Sequence, residues 1–221
     1  MHQHLRLPLA LAATGALALG AAACGSGDDS SSSSSPSQSS TPKPMAQIDT
    51  LTGRSTGVTH DGGFVKALTT LKLTPAPVGK ATISKAGVAS FPITGGNVTY
   101  YKPGSISPYV QGEIDHAGSG LSLTGGGKTV KLTDFVVDPG KSVLTGKVTV
   151  DGKVAAESAP LFYLDGRTLQ PLKAAGSTAV LQGTTVKLKD EAASLLNDTF
   201  GTDALKGGLV IGVAKITVNV A

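Results

Sequence analysis

His116 stands in the setting that most invites a chemical role. The surrounding run, GEIDHAGSG at residues 112–120, places a carboxylate just before the histidine and a serine shortly after it. Histidine, carboxylate and serine form hydrolytic triads, but a triad brings its base, nucleophile and acid together from separate elements of the fold. A local run of this kind is more simply a strand end leading into a glycine turn. We therefore predict that the protein is not an enzyme, and we rank an envelope hydrolase third among its functions.

Three of the four tyrosines lie shortly before this histidine. In a β-domain, tyrosines of this kind are often half-buried strand residues whose hydroxyl is solvated. They can also form a surface that binds a ligand, and the residues alone leave both interpretations open. On the second interpretation, a ligand site lies at one loop end of the domain. Its candidate ligand-binding residues are Tyr100, Tyr101, Tyr109, His116 and Ser119.

His60 and Asp61 resemble half of a metal site. Structural and catalytic zinc sites use three or four protein ligands at recognisable spacing, so this pair is not enough and we predict no metal ligands. Asp61 is better explained as the cap of a short helix. Glycine-rich runs at 118–120 and 125–127 are predicted to be hairpin turns, because no crossover helix starts after them as a phosphate loop requires.

The elements that must position these residues are mostly strands. From Lys80 to the end of the chain, apolar residues alternate with polar ones in short runs separated by glycine-containing turns, which is typical of half-buried strands. The clearest hairpin joins 144–150 to the strand beginning at Lys153 through Asp151-Gly152. We predict an all-β fold, an antiparallel β-sandwich with one or two short helices.

Two segments depart from this alternation. Residues 190–200 are predicted to form a helix with a cap at Asp190, an apolar stripe through Leu195 and Leu196, and an end at Gly201. Residues 62–71, behind Asp61, form a weaker helical pattern. The last strand, 209–220, changes phase, and a β-bulge near Ala214 and Lys215 would account for the change, as would a strand covered on both faces.

The N-terminal residues predict export and a lipid anchor. Residues 1–23 combine a positive start with an apolar stretch too short to span a bilayer, as in a signal peptide. Small residues before Cys24, the only cysteine, resemble the site that lipoprotein signal peptidase cleaves. We predict lipidation of Cys24, a disordered serine-rich linker at 24–44, and one domain at 45–221 on the extracytoplasmic face of the cell membrane. Cleavage after Ala23 by ordinary signal peptidase is the alternative.

Composition limits the partners of this domain. The formal net charge is +4, with 19 basic and 15 acidic residues, and the lysines are scattered rather than grouped with arginines or aromatic residues. Nucleic-acid binding therefore has little support. The membrane, reached through the lipid, is the expected partner, with an envelope protein as a further one.

Three motifs together resemble the HtaA domain of actinobacterial cell-envelope proteins. They are G-x-I-x-H-x-G-x-G-L-x-L from Gly112 to Leu123, the strand pair 130–150 around Asp138-Pro139-Gly140, and L-x-G-x-x-V-x-L-x-x-x-A-A from Leu181. The resemblance spans much of 95–220 and implies a β-sandwich module that binds haem. HtaA modules carry their ligating tyrosine in an early strand, and 58–71 here contains no tyrosine. A haem ligand would then come from Tyr100, Tyr101, Tyr109 or His116.

These observations rank the functions. The first is a non-enzymatic envelope lipoprotein whose β-sandwich binds a ligand or partner, with haem as the most concrete ligand. The second is a structural or adhesive surface lipoprotein without a small-molecule ligand, which the serine-rich linker favours. The residues themselves assign no cofactor.

Overall fold

The computed structural model describes residues 41–220 of the chain. The predicted signal peptide, Cys24 and most of the predicted linker lie outside the described residues. Within 41–220, no helix has the length and apolar character needed to cross a membrane.

The described residues form thirteen strands, two α-helices and a short 3₁₀ helix. The strands are β1 (Ala46–Ile48), β2 (Arg54–His60), β3 (Thr74–Gly79), β4 (Thr82–Ile83), β5 (Val88–Pro92), β6 (Gly95–Tyr100), β7 (Val110–Gly125), β8 (Lys128–Asp138), β9 (Val143–Val150), β10 (Lys153–Asp165), β11 (Lys173–Ala175), β12 (Thr178–Leu188) and β13 (Val210–Asn219). The helices are α1 (Gly62–Thr70), α2 (Asp190–Phe200) and the 3₁₀ helix Gly166–Thr168.

One antiparallel sheet contains all of these strands. Its order is β1-β6-β7-β8-β9-β10-β12-β13-β2-β5-β4, with β3 paired to β7 and β11 paired to β12. The sheet curls so that its two halves face each other. Nδ1 of His116 in β7 lies 3.0 Å from the carbonyl oxygen of Pro92 in β5, although β5 and β7 are far apart in the strand order. Phe91 of β5 meets Phe135 of β8 edge to face across the interior. The predicted antiparallel all-β class with two short helices is confirmed.

Two predicted hairpin turns are confirmed. Asp151 and Gly152 join β9 to β10 with φ angles of 47° and 82°, and Gly126 and Gly127 join β7 to β8 with φ angles of 57° and 76°. Positive φ at both central residues is the type I′ geometry, whose twist matches that of the flanking strands.

The predicted hairpin turn at residues 118–120 is wrong. These residues lie inside β7, which runs without interruption for 16 residues, and they form a bulge where the pairing with β8 shifts between His116 and Gly120. The reason is steric. A Cβ on Gly120 would lie 2.1 Å from the carbonyl oxygen of Leu132, so the glycine allows close approach of β8 rather than a chain reversal.

The helices match their predicted positions but not every predicted cap. Asp61 caps α1 as expected, its carboxylate accepting a hydrogen bond from the Gly63 amide at 2.7 Å. Asp190 does not cap α2, because the N-cap is Lys189 and Asp190 lies in the first turn. There its negative charge interacts favourably with the positive end of the helix dipole. Ala192, Ala193 and Leu196 are the buried residues of α2, and Leu195 is only half-buried.

The phase change in β13 lies earlier than predicted. Pairing with β12 shifts between Val186 and Lys187, which inserts Ile211 as the extra residue of β13. From Gly212 onward the pairing with β2 is continuous, and Ala214 is buried and Lys215 exposed. A second shift lies opposite these two residues, between Gln182 and Thr184, where Gly183 is the extra residue of β12. A bulge near Ala214 and Lys215 is therefore present, but its extra residue belongs to β12, and the phase change of β13 itself lies at Ile211.

Candidate ligand-binding cavity

A cavity of about 830 Å³ lies inside the curled sheet. Its walls are predominantly apolar and come from all the strands except β3, β4 and β11. The wall forms because side chains alternate along each of these strands, so that one face of each points toward the same interior. Small side chains such as Ala89 and Ala214, both buried, leave room where larger ones would fill the space.

The cavity has an open rim and a closed inner end. Exposed residues at the rim include Gln47, Thr50, Pro108 and Arg167. At the other end the wall adjoins a second, smaller void of about 40 Å³ beside α1 and α2. The residues that line both spaces are His60, Leu121, Phe162 and Ile211. Phe64 and Leu68 of α1 and Leu196 of α2 line this second void, so the helices lie at the end of the cavity where His60 is placed.

His116 and Thr56 form a hydrogen-bonded pair in this wall. His116 is 1% exposed, and its Nε2 lies 3.2 Å from the hydroxyl oxygen of Thr56 on β2. Its Nδ1 lies 3.0 Å from the carbonyl oxygen of Pro92. A carbonyl only accepts, so Nδ1 carries the proton, and in the neutral ring Nε2 accepts from the Thr56 hydroxyl. Both ring nitrogens of His116 are thus engaged within the protein.

Burial keeps this imidazole neutral. Loss of solvent lowers the pKa of His116, and this outweighs the opposing effects of the Pro92 carbonyl and the Asp115 charge. The hydroxyl of Ser119, which is fully buried, donates to the backbone carbonyl of His116 at 3.0 Å and holds the bulge in place. Ser119 itself does not line the cavity, so its role here is to support His116.

His60 differs from His116 in having a nitrogen without a partner. It lies on the same inner face of β2 as Thr56 and Val58, at the inner end of the cavity. Its Nε2 is buried and makes no hydrogen bond, and it is the one such side-chain nitrogen or oxygen found among residues 41–220. Burial lowers the pKa of His60. Sequence reasoning considered His60 only as half of a metal site; its alternation with Thr56 and Val58 was the signal that could have placed it inside.

Two of the candidate tyrosines line the cavity. Tyr100 is buried and Tyr109 half-buried, and their rings meet edge to face with centroids 5.9 Å apart near the rim. Burial, and then the neighbouring Tyr100, raise the pKa of the Tyr109 phenol. Tyr101 does not line the cavity; it follows β6 and donates its amide to the Tyr109 carbonyl at 2.7 Å. The structure therefore brings Tyr100, Tyr109 and His116 to one cavity, and leaves Tyr101 and Ser119 outside its lining.

A charged cluster reinforces one side of the rim. Asp165, 5% exposed, accepts hydrogen bonds from Arg167 Nε at 2.9 Å and from Lys187 Nζ at 2.8 Å. These bonds, that from Arg167 first, hold the pKa of the Asp165 carboxyl well below its usual range. The cluster ties the 3₁₀ helix to β10 and β12, which gives this side of the opening a fixed shape.

Two sequence patterns escaped the sequence analysis, and the fold explains both. Residues 53–57 read G-x-S-x-G, but Ser55 lies within β2, paired on both sides with β5 and β13, and not at the sharp strand-to-helix turn of a nucleophile elbow. Gly127 is followed by Lys128 and Thr129 as at the end of a phosphate loop, but these residues begin β8 rather than a helix. Among residues 41–220, no three His, Cys, Asp or Glu side chains are grouped so that they could hold a metal ion.

Comparison with known proteins relates the fold to one family. The chain matches no protein-family model and no curated protein. Its structure is similar to that of the C-terminal domain of HtaA from Corynebacterium glutamicum, with a TM-score of 0.53 and 12% sequence identity, over 77% of this chain and 98% of that one. A domain-swapped dimer of a variant of the same domain has a TM-score of 0.45 and 11% identity, over 73% and 94% of the two chains. The first likeness confirms the resemblance to the HtaA domain at the level of the fold.

Proposed function

We propose that the domain binds a large apolar ring ligand inside the curled sheet, and that this ligand is haem. The observation that carries the proposal is the cavity of about 830 Å³. Close-packed protein interiors leave few voids larger than a water molecule. Pockets that bury small molecules have volumes of about 300–1,000 Å³, are mostly apolar and carry a few placed polar groups. The cavity fits that description.

The side chains present also suit haem. Aliphatic and aromatic walls from opposite halves of the sheet would bury the faces of the ring, with Phe91 and Phe135 among them. Bound haem would supply an iron centre that takes a nitrogen or oxygen ligand from the protein. Tyr100 and Tyr109, which line the cavity, each carry an oxygen of that kind.

We propose a binding role rather than a catalytic one. Thr56 and His116 are at a distance suitable for a nucleophile and its base, with a carbonyl orienting the ring, which is the one feature that favours the hydrolase alternative. However, Thr56 is 6% exposed in the middle of a strand, and the hydroxyl faces an apolar cavity. The pair is better explained as a satisfied hydrogen bond in a binding wall. Hydrolysis of ester substrates that His116→Ala abolishes would instead support the enzyme.

A haem titration with a cavity-filling variant tests the proposal. Ala214→Phe places a ring inside the cavity, and Val213→Phe places the same ring on the exposed face of the same strand. We expect wild type and Val213→Phe to give a saturable Soret shift, and Ala214→Phe to lose at least tenfold in affinity at an unchanged fold by circular dichroism. Absence of a saturable shift in wild type would reject haem and place the structural or adhesive role first.

We further propose that the domain is exported and held on the outer face of the membrane through lipid on Cys24. Small residues before the cysteine and the serine-rich stretch after it support this. Two acyl chains suffice for stable attachment, whereas a single one is marginal. Cells grown with labelled palmitate should label wild type and Ser26→Ala but not Cys24→Ala, and Cys24→Ala should leave the membrane fraction. Equal labelling of Cys24→Ala would refute the anchor.

A further inference from the structure

We propose that Arg167 at the rim binds a carboxylate of the ligand, so that the cavity selects an apolar ring that carries an acidic group. This inference rests on the proposed function, because the ring must first enter the cavity. It goes further by naming the residue that recognises the polar end of the ligand, and by predicting that the protein distinguishes a porphyrin from its neutral ester.

The interior wall of the cavity is poorly suited to a charged group. His116 is kept neutral by burial and has both ring nitrogens bonded within the protein, and Nε2 of His60 is buried away from solvent. Much of the remaining wall consists of apolar side chains such as Phe91, Phe135 and Val186. Moving a carboxylate into such surroundings is costly unless a cation or hydrogen-bond donors receive it. A ligand that carries a carboxylate must therefore keep it at the rim.

Arg167 supplies a cation at that rim. In the described part of the chain it is the one lysine or arginine that lines the cavity, and its side chain is 82% exposed. Asp165 is paired with both Arg167 and Lys187, so these three side chains together carry a net charge of +1. Asp49 also lines the cavity, but it follows β1. A carboxylate of the ligand is therefore repelled at that part of the wall and attracted at the 3₁₀ helix.

The guanidinium of Arg167 is held in place with donors to spare. Its Nε donates to Asp165 at 2.9 Å and its Nη2 donates to the same carboxylate, whereas Nη1 has no hydrogen-bond partner within residues 41–220. Asp165 is itself buried, and Lys187 Nζ holds it at 2.8 Å. A fixed guanidinium is well suited to bind a carboxylate through charge-assisted hydrogen bonds. The buried aspartate thus positions Arg167 and leaves Nη1 for the ligand.

The test compares a porphyrin diacid with its neutral ester in the full-length protein. Metal-free protoporphyrin and its dimethyl ester are titrated by fluorescence into wild type, Arg167→Gln, Arg167→Glu and the control Lys173→Ala, which removes an exposed cation outside the cavity lining. We expect Arg167→Gln to lose about three- to tenfold in affinity for the diacid, and Arg167→Glu to lose more. The dimethyl ester should bind all four proteins within about twofold, since it has no charge for Arg167 to attract.

Salt gives a second measurement of the same contact. Raising the NaCl concentration from about 50 mM to about 500 mM should weaken diacid binding to wild type more than to Arg167→Gln, because salt screens the attraction between exposed charges. A salt dependence that is the same in both proteins would contradict a charge contact at Arg167.

A second pair of variants separates direct binding from neutralisation of Asp165. In an Asp165→Asn background, Arg167 no longer has a carboxylate to neutralise, so Arg167→Gln should still lower the affinity for the diacid if Arg167 itself binds the ligand. If the loss disappears in that background, Arg167 acts only by cancelling the charge of Asp165 and the inference is wrong.

The remaining outcomes also decide the matter. If the Arg167 variants bind the diacid as wild type does, the rim contact is wrong and the binding function stands. If they lose the diacid and the ester equally, Arg167 shapes the opening without recognising a carboxylate. If Lys173→Ala loses as much diacid affinity as Arg167→Gln, the effect is one of overall charge. If wild type binds neither probe, the inference and the proposed function both fail. Thermal midpoints of all variants show that each is folded.

Discussion

At the scale of single residues, His116 shows how one polar side chain can fix the curl of a sheet. Its ring joins β7 to β2 through Thr56 and to the end of β5 through the Pro92 carbonyl, although neither β2 nor β5 pairs with β7. Apolar contacts alone would tolerate sliding between the facing halves, whereas these hydrogen bonds are satisfied only in one alignment. An unmade bond of this kind in a buried position costs about 1–3 kcal/mol.

Burial of the two histidines predicts a pH-dependent stability. Burial lowers the pKa of His116 and of His60 from the ordinary value of 6.5, so below that pH the unfolded chain binds protons that the folded chain does not. The free energy of unfolding should be level above pH 7 and fall as pH drops from 6.5 to 5, by at most about 1.4 kcal/mol per pH unit for each histidine. Urea unfolding across this range measures it.

Variants separate the two contributions to that slope. His116→Asn should lower the overall stability and reduce the slope, while His60→Phe should reduce the slope at little cost, because the His60 nitrogen has no hydrogen bond to lose. If the free energy of unfolding depended on pH equally in wild type and in both variants, the loss of stability in acid would not come from these two histidines.

At the scale of elements, α2 depends on its buried face. A helix of 11 residues is marginal in water by itself, so its stability comes from packing Ala192, Ala193 and Leu196 against the sheet. Leu196→Asp would bury an unpaired carboxylate at a cost of several kcal/mol, out of a typical margin of about 5–15 kcal/mol. We expect a large fall in the thermal midpoint or loss of folding. Ser194→Asp, exposed on the same helix, should leave the midpoint nearly unchanged. Equal thermal midpoints for the two variants would mean that the buried face of α2 does not stabilise the domain.

The bulge in β7 is the second element on which the cavity depends. Gly120 lies so close to β8 that a Cβ would meet both the Leu132 carbonyl and Thr133 Cα at under 3 Å. Gly120→Ala should therefore destabilise the domain by about 1–3 kcal/mol, as overpacking does. Gly62→Ala, where a Cβ has nothing within 4 Å, is the control. Chemical denaturation compares them, and a neutral Gly120→Ala would show that β8 can move away.

At the scale of the whole molecule, the first strand marks where the domain must begin. β1 pairs with β6, Met45 donates its amide to Tyr100, and Leu51 is 2% exposed in the core. Serine-rich polar segments lack the apolar surface to offset the entropy of ordering. We expect limited proteolysis of the full chain to leave a resistant fragment starting near residue 45. A resistant fragment starting near Gly25 would contradict this boundary.

Truncation gives the same boundary independently. Removal of residues up to Pro44 should leave the thermal midpoint unchanged, whereas removal up to Leu51 should lower it, because it deletes an edge strand and a core side chain. The domain boundary at 45 and the disordered linker stay predictions until such a measurement is made.

The sequence by itself determined the local structure. Alternating apolar residues predicted the strands, the glycines of 151–152 and 125–127 predicted hairpin turns, and the apolar stripe with Gly201 predicted α2 with the bounds it has. Each of these features depends on residues that are close along the chain. Steric limits on φ favour glycine in the turns, and the spacing of apolar residues matches the period of a strand or a helix. The composition of the N-terminal segment likewise predicts export of the protein, and this prediction requires no knowledge of the fold.

Only the tertiary structure decided which residues meet. Gly120 reads as a turn residue until β8 is seen against it, and the phase change of β13 becomes a bulge at Ile211 only when its partners are known. Thr56 and His60 lie on β2 and His116 lies on β7, far away in sequence, so no local pattern shows that one histidine is fully hydrogen-bonded and the other is not. The cavity arises in the same way, because an enclosed volume depends on the curvature and register of the entire sheet, to which nearly every strand contributes.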